Sequence, residues 1–329
     1  IKQSNLCCEI NLPTKPLNDI NDPDGEISLC TLSAVNWGVI KDLTEMQKVC
    51  NLAVRGLDEL LDYQDYPVLA AELSTMNRRP LGVGIINFAY WLVKHDTNYQ
   101  DPNLELVDEW AEAWSYGLIK ASNELAQEKG SCPKTMETKY GHGITPNQTY
   151  KAEVDELVKH KERMDWKGLR KQLKETGIRN STLMALMPAE TSAQISNSTN
   201  GIEPPRSYVS IKQSKHGVLK QVVPGYPYYK NKYDLLWDQK SPQGYLKIMA
   251  VLQKYIDQGI SVNTSYNPEH YEDEKVPMSV LINDILMFYK YGGKQLYYNN
   301  THDGQGEIDI NKDDADNQLA ITEIDDEDC

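Results

Sequence analysis

The chain has 329 residues, 40% of them hydrophobic and 25% charged, with a formal net charge of −14. These are globular proportions, and no apolar run reaches the ~18 residues that a bilayer span needs, which excludes a disordered chain and a helical membrane protein. Eleven acidic residues and one Lys between Asp303 and Asp328 supply most of the charge, so the body is nearly balanced and lacks the clustered Lys and Arg of a nucleic-acid groove.

The first residues, Ile1-Lys2-Gln3-Ser4, contain neither an initiator Met nor an apolar signal core, and read as a cut edge. Residues 1–40 alternate short apolar runs with Pro, Asn, Asp and Gly, which predicts strands over Leu6–Leu12 and Ile27–Val35 with a turn at Asp22-Pro23-Asp24-Gly25. Thr44-Glu45-Met46-Gln47 has the capping-box pattern and opens a helix with Val49, Leu52, Ala53, Leu57, Leu60 and Leu61 on its apolar face. Leu81-Gly82-Val83-Gly84-Ile85-Ile86 reads as a buried strand. Its glycines suit close backbone packing better than a phosphate loop.

Residues 103–129 predict an amphipathic helix with Trp110 and Trp114 in the core, and 150–176 a charged outer helix. Leu183–Met187 reads as a buried strand ended by Pro188 and followed by a polar loop, Glu190 to Asn200. Helices follow over 242–259 and 278–290, the second with Val280, Leu281, Ile285 and Phe288 mostly in the core. Gly292-Gly293 stops it, and Gln295–Tyr298 is a last strand. The alternation of strands and helices predicts an α/β fold with a sheet or barrel over 1–302. The acidic stretch 303–329 reads as a mobile tail.

Five features carry chemistry. In an extended segment Asn5, Cys7 and Glu9 share one face, which puts an amide, a thiol and a carboxylate into one space. A half-buried strand with these residues outward is the plain alternative. Cys30 is either a core cysteine or a redox partner for another thiol. Glu190, Thr191 and Ser192 follow a buried strand, as a capped turn or as a phosphate site made of hydroxyls and free N–H groups. Tyr297 and Tyr298 are either sheet packing or a route for single electrons. Cys329 ends the acidic stretch like an exchange thiol. The six cysteines show no framework spacing and read as reduced, and Asn180-Ser181-Thr182 as a chance glycosylation match.

Five segments in this order resemble the large, catalytic subunit of class I ribonucleotide reductase, most closely the class Ia enzymes of enteric bacteria and their phages. They are Asn5-Leu6-Cys7-Cys8-Glu9-Ile10, Leu29-Cys30-Thr31-Leu32-Ser33, Arg78-Arg79-Pro80-Leu81-Gly82-Val83-Gly84, Arg179 to Arg206 with Asn200-Gly201-Ile202-Glu203-Pro204-Pro205-Arg206, and Leu296-Tyr297-Tyr298-Asn299-Asn300-Thr301. The resemblance implies the second half of a ten-stranded α/β barrel, with a central finger loop near residues 1–12 in place of an outer strand. It implies Cys7 as the thiyl radical, Glu9 as the base, Asn5 as a substrate ligand and Cys30 as one of two reducing thiols. Glu190, Thr191 and Ser192 would bind the diphosphate, Tyr297 and Tyr298 would relay the radical, and Cys329 would be a redox-tail cysteine.

The implied partners are ribonucleoside diphosphates, thioredoxin or glutaredoxin, a small subunit holding a dimetal–tyrosyl radical, a second large subunit, and a missing N-terminal half that binds ATP and dNTP effectors. No cofactor or metal is expected in this chain, and a cytoplasmic setting follows. Two departures stand out: a single tail cysteine where the family has two, and Cys8 where an apolar residue is usual. A complementing half that acts only with a separate N-terminal polypeptide, and a cobalamin-dependent reductase, are the alternatives. The tyrosine pair speaks against the second.

Overall fold

The computed structural model describes residues 4–214 and 217–303. The β-strands run beside one another in chain order. β1 (Leu32–Asn36) pairs in parallel with β2 (Gly82–Ile86). A parallel bridge then joins Val83 to Met184, and another joins Leu186 to Ile260. β5 (Thr264–Tyr266) continues from this last segment and pairs in parallel with β6 (Asn299–Thr301). Parallel neighbours need long crossovers, and helices supply them.

The helices are α1 (Leu43–Tyr63), α2 (Leu69–Arg78), α3 (Phe88–Lys94), α4 (Leu104–Lys129), α5 (Trp166–Thr176), the short α6 (Glu190–Ile195) and α7 (Tyr226–Tyr229), α8 (Gln243–Gln253) and α9 (Met278–Lys290). An antiparallel hairpin of β3 (Val209–Ser214) and β4 (Gly217–Val222), not expected from the sequence, interrupts this order.

The two faces of the strand layer differ. Val83, Ile85, Met184 and Leu186 join the main core with α1, α4 and α8. Trp37, Trp91, Trp110 and Trp114 meet there, with ring centroids 5.2 to 6.3 Å apart. The other face carries a small cluster of Ile10, Leu12 and Ala185 against Leu32. Gly82 and Gly84 keep that face low. A Cβ on Gly82 would lie 2.5 Å from the Leu32 side chain, and one on Gly84 2.6 Å from the Met187 sulfur. The glycines thus serve close packing, as expected.

Several expected elements differ. No strand forms over Leu6–Leu12, and only the end of the second expected strand pairs. The cap of α1 is Asp42, two residues earlier than expected, whose carboxylate accepts the Glu45 amide at 2.8 Å. The buried stripe of α1 is Met46, Cys50, Val54, Leu57 and Leu61, and Leu52 and Leu60 face solvent. The charged stretch 150–176 breaks in two, because Arg163 turns inward to Asp108 and Glu112 on α4. α8 stops at Gln253, short of residue 259. On α9 Phe288 is buried as expected and Val280 and Leu281 are half-buried, but Ile285 is exposed and forms an outward apolar face with Ile282, Leu286 and Tyr289.

Several buried charges are paired. Asp58, fully buried, accepts from Arg79 at 2.7 Å, Arg179 at 3.2 Å and Asn180 at 3.0 Å. Arg78 binds Glu26 and Glu137. Asn180 is enclosed, in keeping with a chance glycosylation match. No disulfide joins the described cysteines, and Cys329 lies outside the described residues.

Candidate functional site

Residues 4–12 lie on the low face of the strand layer. Their chain reverses at once: the Cys8 amide donates to the Asn5 carbonyl at 3.2 Å, and Cys8 takes a left-handed φ of 67°. The expected extended face is therefore a turn. It brings the same groups together by another route, since the Asn5 amide donates to Glu9 Oε1 at 2.8 Å. Asn5 is itself held, because its Oδ1 accepts from the Ile10 amide at 3.0 Å, while the Ser4 hydroxyl donates to the Ile10 carbonyl at 2.7 Å. Cys7 and Glu9 are buried, whereas Leu6 on the turn is exposed.

The neighbouring strand segment grips this turn. The Ser261 hydroxyl lies within hydrogen-bond distance of both the Cys7 carbonyl and Glu9 Oε2, and the Gly259 amide donates to the Glu9 carbonyl at 2.8 Å. The Gln295 amide reaches the Cys8 carbonyl past Gly259, where any Cβ would collide with it. Ser261, Gly259 and Gln295 were not singled out from the sequence. The one local signal was the turn-like run Asp257-Gln258-Gly259 between Tyr255-Ile256 and Ile260.

Tyr297 and Tyr298 sit just before β6. Their rings lie 3.9 Å apart, centroid to centroid, and tilt by 35°. Successive residues of a regular strand point to opposite faces, so two stacked neighbours cannot belong to one. This is why the strand begins at Asn299 and not at Gln295. Burial pushes the Tyr297 phenol up, and hydrogen bonds to Tyr298 and to Cys7 raise it further. Tyr298, Tyr297 and Cys7 thus form one connected path from an exposed ring to a buried thiol.

Cys30 lies in the loop before β1, with its edge open to solvent. The atoms packed around it push its thiol up to about 12, and the charges of Glu9 and Cys7 add to the rise. It therefore faces the same space as Cys7 and Glu9. Glu190, Thr191 and Ser192 open α6, exposed at the carboxyl end of the segment that pairs with β2. That is the end of a parallel sheet where ligands collect. Burial raises the nearby Glu203, and Glu190 adds to this, while Asn263 and Arg206 oppose it. Asn263 in turn accepts the Tyr298 amide at 2.9 Å, which ties the α6 loop to the tyrosine pair.

A cavity of about 640 Å³ lies elsewhere. Asn11, Thr182, Asp257 and Lys294 line it, at the amino ends of the strand segments and away from the reactive groups.

Residues 1–299 match the family model described as ribonucleotide reductase, barrel domain. The chain belongs to the ribonucleotide reductase family. It is 55% identical over 316 residues to the ribonucleoside-diphosphate reductase subunit alpha of Haemophilus influenzae, covering 96% of this chain and 42% of that one. It is 53% identical over 305 residues to the subunit 1 alpha of Escherichia coli K12, covering 92% and 40%. It is 46% identical over 316 residues to the alpha subunit of Enterobacteria phage T4, covering 94% and 41%. The chain thus spans about two fifths of the length of these curated reductase relatives. Among the described residues, no helix is long and apolar enough to cross a membrane.

Proposed function

We propose that this chain is the radical-bearing part of a class I ribonucleoside-diphosphate reductase large subunit, which converts ribonucleoside diphosphates to 2′-deoxyribonucleoside diphosphates. The connected path Tyr298–Tyr297–Cys7 beside the Asn5–Glu9 pair carries this reading. An unactivated ribose C–H bond resists acid–base groups, so a radical is needed, and a thiol at the end of a phenol path suits one.

In this reading the strand layer is the second half of the reductase barrel, and residues 4–12 are its finger loop. The dimetal–tyrosyl centre of a partner small subunit supplies the oxidising equivalent. Tyr298 and Tyr297 pass it to Cys7, each losing and regaining one electron and one proton. The Cys7 thiyl removes the ribose 3′ hydrogen. Glu9 takes the 3′-hydroxyl proton, and Asn5 aligns both. The 2′-hydroxyl leaves as water, and Cys30 with a second thiol supplies two electrons and two protons and becomes half of a disulfide. Glu9 returns its proton to the 3′-oxygen, and the Cys7 S–H returns its hydrogen to C3′, which regenerates the thiyl. Thioredoxin or glutaredoxin restores the dithiol through a cysteine tail to which Cys329 belongs. Glu190, Thr191 and Ser192 hold the diphosphate. ATP and dNTP effectors act through the rest of the large subunit, which pairs with a second copy. The exposed α9 face of Ile282, Ile285, Leu286 and Tyr289 receives the small subunit's terminal peptide.

The test is Cys7→Ser in a large subunit containing this segment, assayed with its small subunit. Loss of dNDP formation with substrate binding intact is expected, and retained formation would sink the reading. Tyr298→Phe should give the same loss.

A further inference from the structure

Ser261 takes no part in the reaction as drawn, yet it touches both of its central residues. It is 5% exposed, and its amide is pinned to the Leu186 carbonyl at 2.9 Å. Its hydroxyl faces two acceptors, the Cys7 carbonyl and Glu9 Oε2, the latter at 2.9 Å. A hydroxyl has one hydrogen and two lone pairs, so it serves one of these acceptors fully at a time. Glu9 Oε1 is occupied by the Asn5 amide, and the Asn5 orientation is fixed because its own oxygen accepts the Ile10 amide at 3.0 Å. Oε2 is thus the oxygen left to carry a hydrogen when Glu9 is neutral. The titratable groups facing Glu9 are Cys7 on its own segment and Cys30 from the loop before β1, with Tyr297 beyond Cys7.

We propose that Ser261 is a positioning residue that couples the protonation state of Glu9 to the grip on the Cys7 turn. The idea rests on Glu9 being the base of the reaction proposed above. While Glu9 is ionised, the Ser261 hydrogen points to Oε2. When Glu9 takes the substrate's proton, its new O–H donates to Ser261 Oγ, and the Ser261 hydrogen swings to the Cys7 carbonyl. One proton passes from substrate to Glu9, no electron moves, and Ser261 keeps its own hydrogen. The turn that bears the thiol is held hardest while the base is loaded.

A double-mutant cycle on this chain reads the coupling without needing turnover. In Glu9→Gln the locked Asn5 keeps the amide oxygen on its side and directs the NH₂ to Ser261, which mimics neutral Glu9. The measured quantity is the rate of iodoacetamide alkylation at Cys7, located by fragment mass spectrometry, in wild type, Glu9→Gln, Ser261→Ala and the double variant. Removing the Glu9 charge alters thiol reactivity equally with or without Ser261. The extra grip should therefore appear as a ratio of ratios of about threefold to tenfold, the size of one net hydrogen bond. A ratio of one would overturn the proposal, even if the reductase reading stands. In the two-subunit enzyme, Ser261→Ala should lower kcat about tenfold with KM nearly unchanged, and Ser261→Thr should restore it. If Ser261→Thr fails to restore kcat while thermal unfolding is unchanged, or if KM rises in place of the fall in kcat, the coupling role is wrong.

Discussion

The two faces of the strand layer are held by different forces. On the helical face, tryptophans and aliphatic side chains fill a continuous core between the strands and α1, α3 and α4. Opposite, residues 4–12 place Ile10 and Leu12 against Ala185 and Leu32 and are otherwise fixed mainly by directional bonds from Asn5, Ser261, Gly259 and Gln295. Apolar burial is strong but sets orientation loosely, whereas hydrogen bonds add little net stability but define angles. The face to which the proposed reaction is assigned uses the second kind, because in that reaction a thiol and its base must be aimed as well as buried.

Perturbing each face should separate these roles. Trp114 is fully buried among the other tryptophans, so Trp114→Ala should cost about 3–5 kcal/mol in urea unfolding. Gly82→Ala pushes a methyl into Leu32 beneath the turn and should cost about 1–3 kcal/mol by the same measurement. Asn5→Ala should cost only about 1 kcal/mol, yet abolish deoxynucleotide formation in the assembled enzyme. An unfolding loss for Asn5→Ala as large as that for Trp114→Ala would show that the turn is a packing element after all.

The smallest expected effect concerns protonation. The Cys30 thiol is pushed up to about 12 by the atoms around it and by Glu9 and Cys7, so its alkylation should keep accelerating well above pH 9. Glu9→Gln should move that rise to lower pH. Burial also raises Cys50. Both thiols lose their protons more readily when unfolded, near pH ~8.5, so stability should decline as pH climbs past that value. A chemical-denaturation series from pH 7 to pH 10 checks the sign.

Local periodicity made much of the fold legible. α4, with its capping Asn103, and the glycine-bearing β2 lie close to where spacing places them. The groups at 5, 7 and 9 were also visible, although through the wrong geometry, since spacing alone cannot tell a pleat from a turn with a left-handed Cys8. What could not be seen depends on contacts far apart in sequence. Ser261 is meaningful only because it lies against Glu9, 252 residues away. The break before α5 depends on Arg163 reaching carboxylates on α4. The exposed side of α9 looks like a core stripe, because an apolar face reads the same whatever covers it.

The stacked tyrosines give the β5–β6 pairing a second consequence. Tyr297 is anchored by its amide to the Val262 carbonyl at 2.8 Å, and Thr264 returns a bond to Tyr298 at 2.9 Å. A slip of one residue in that ladder would shift the chain by ~3.3 Å and turn each ring to the opposite side. The contact between the phenols, and the hydrogen bond from Tyr297 to the sulfur, would be lost with it. In the radical relay proposed above, strand register, usually a matter of folding, sets the gap that the electron crosses.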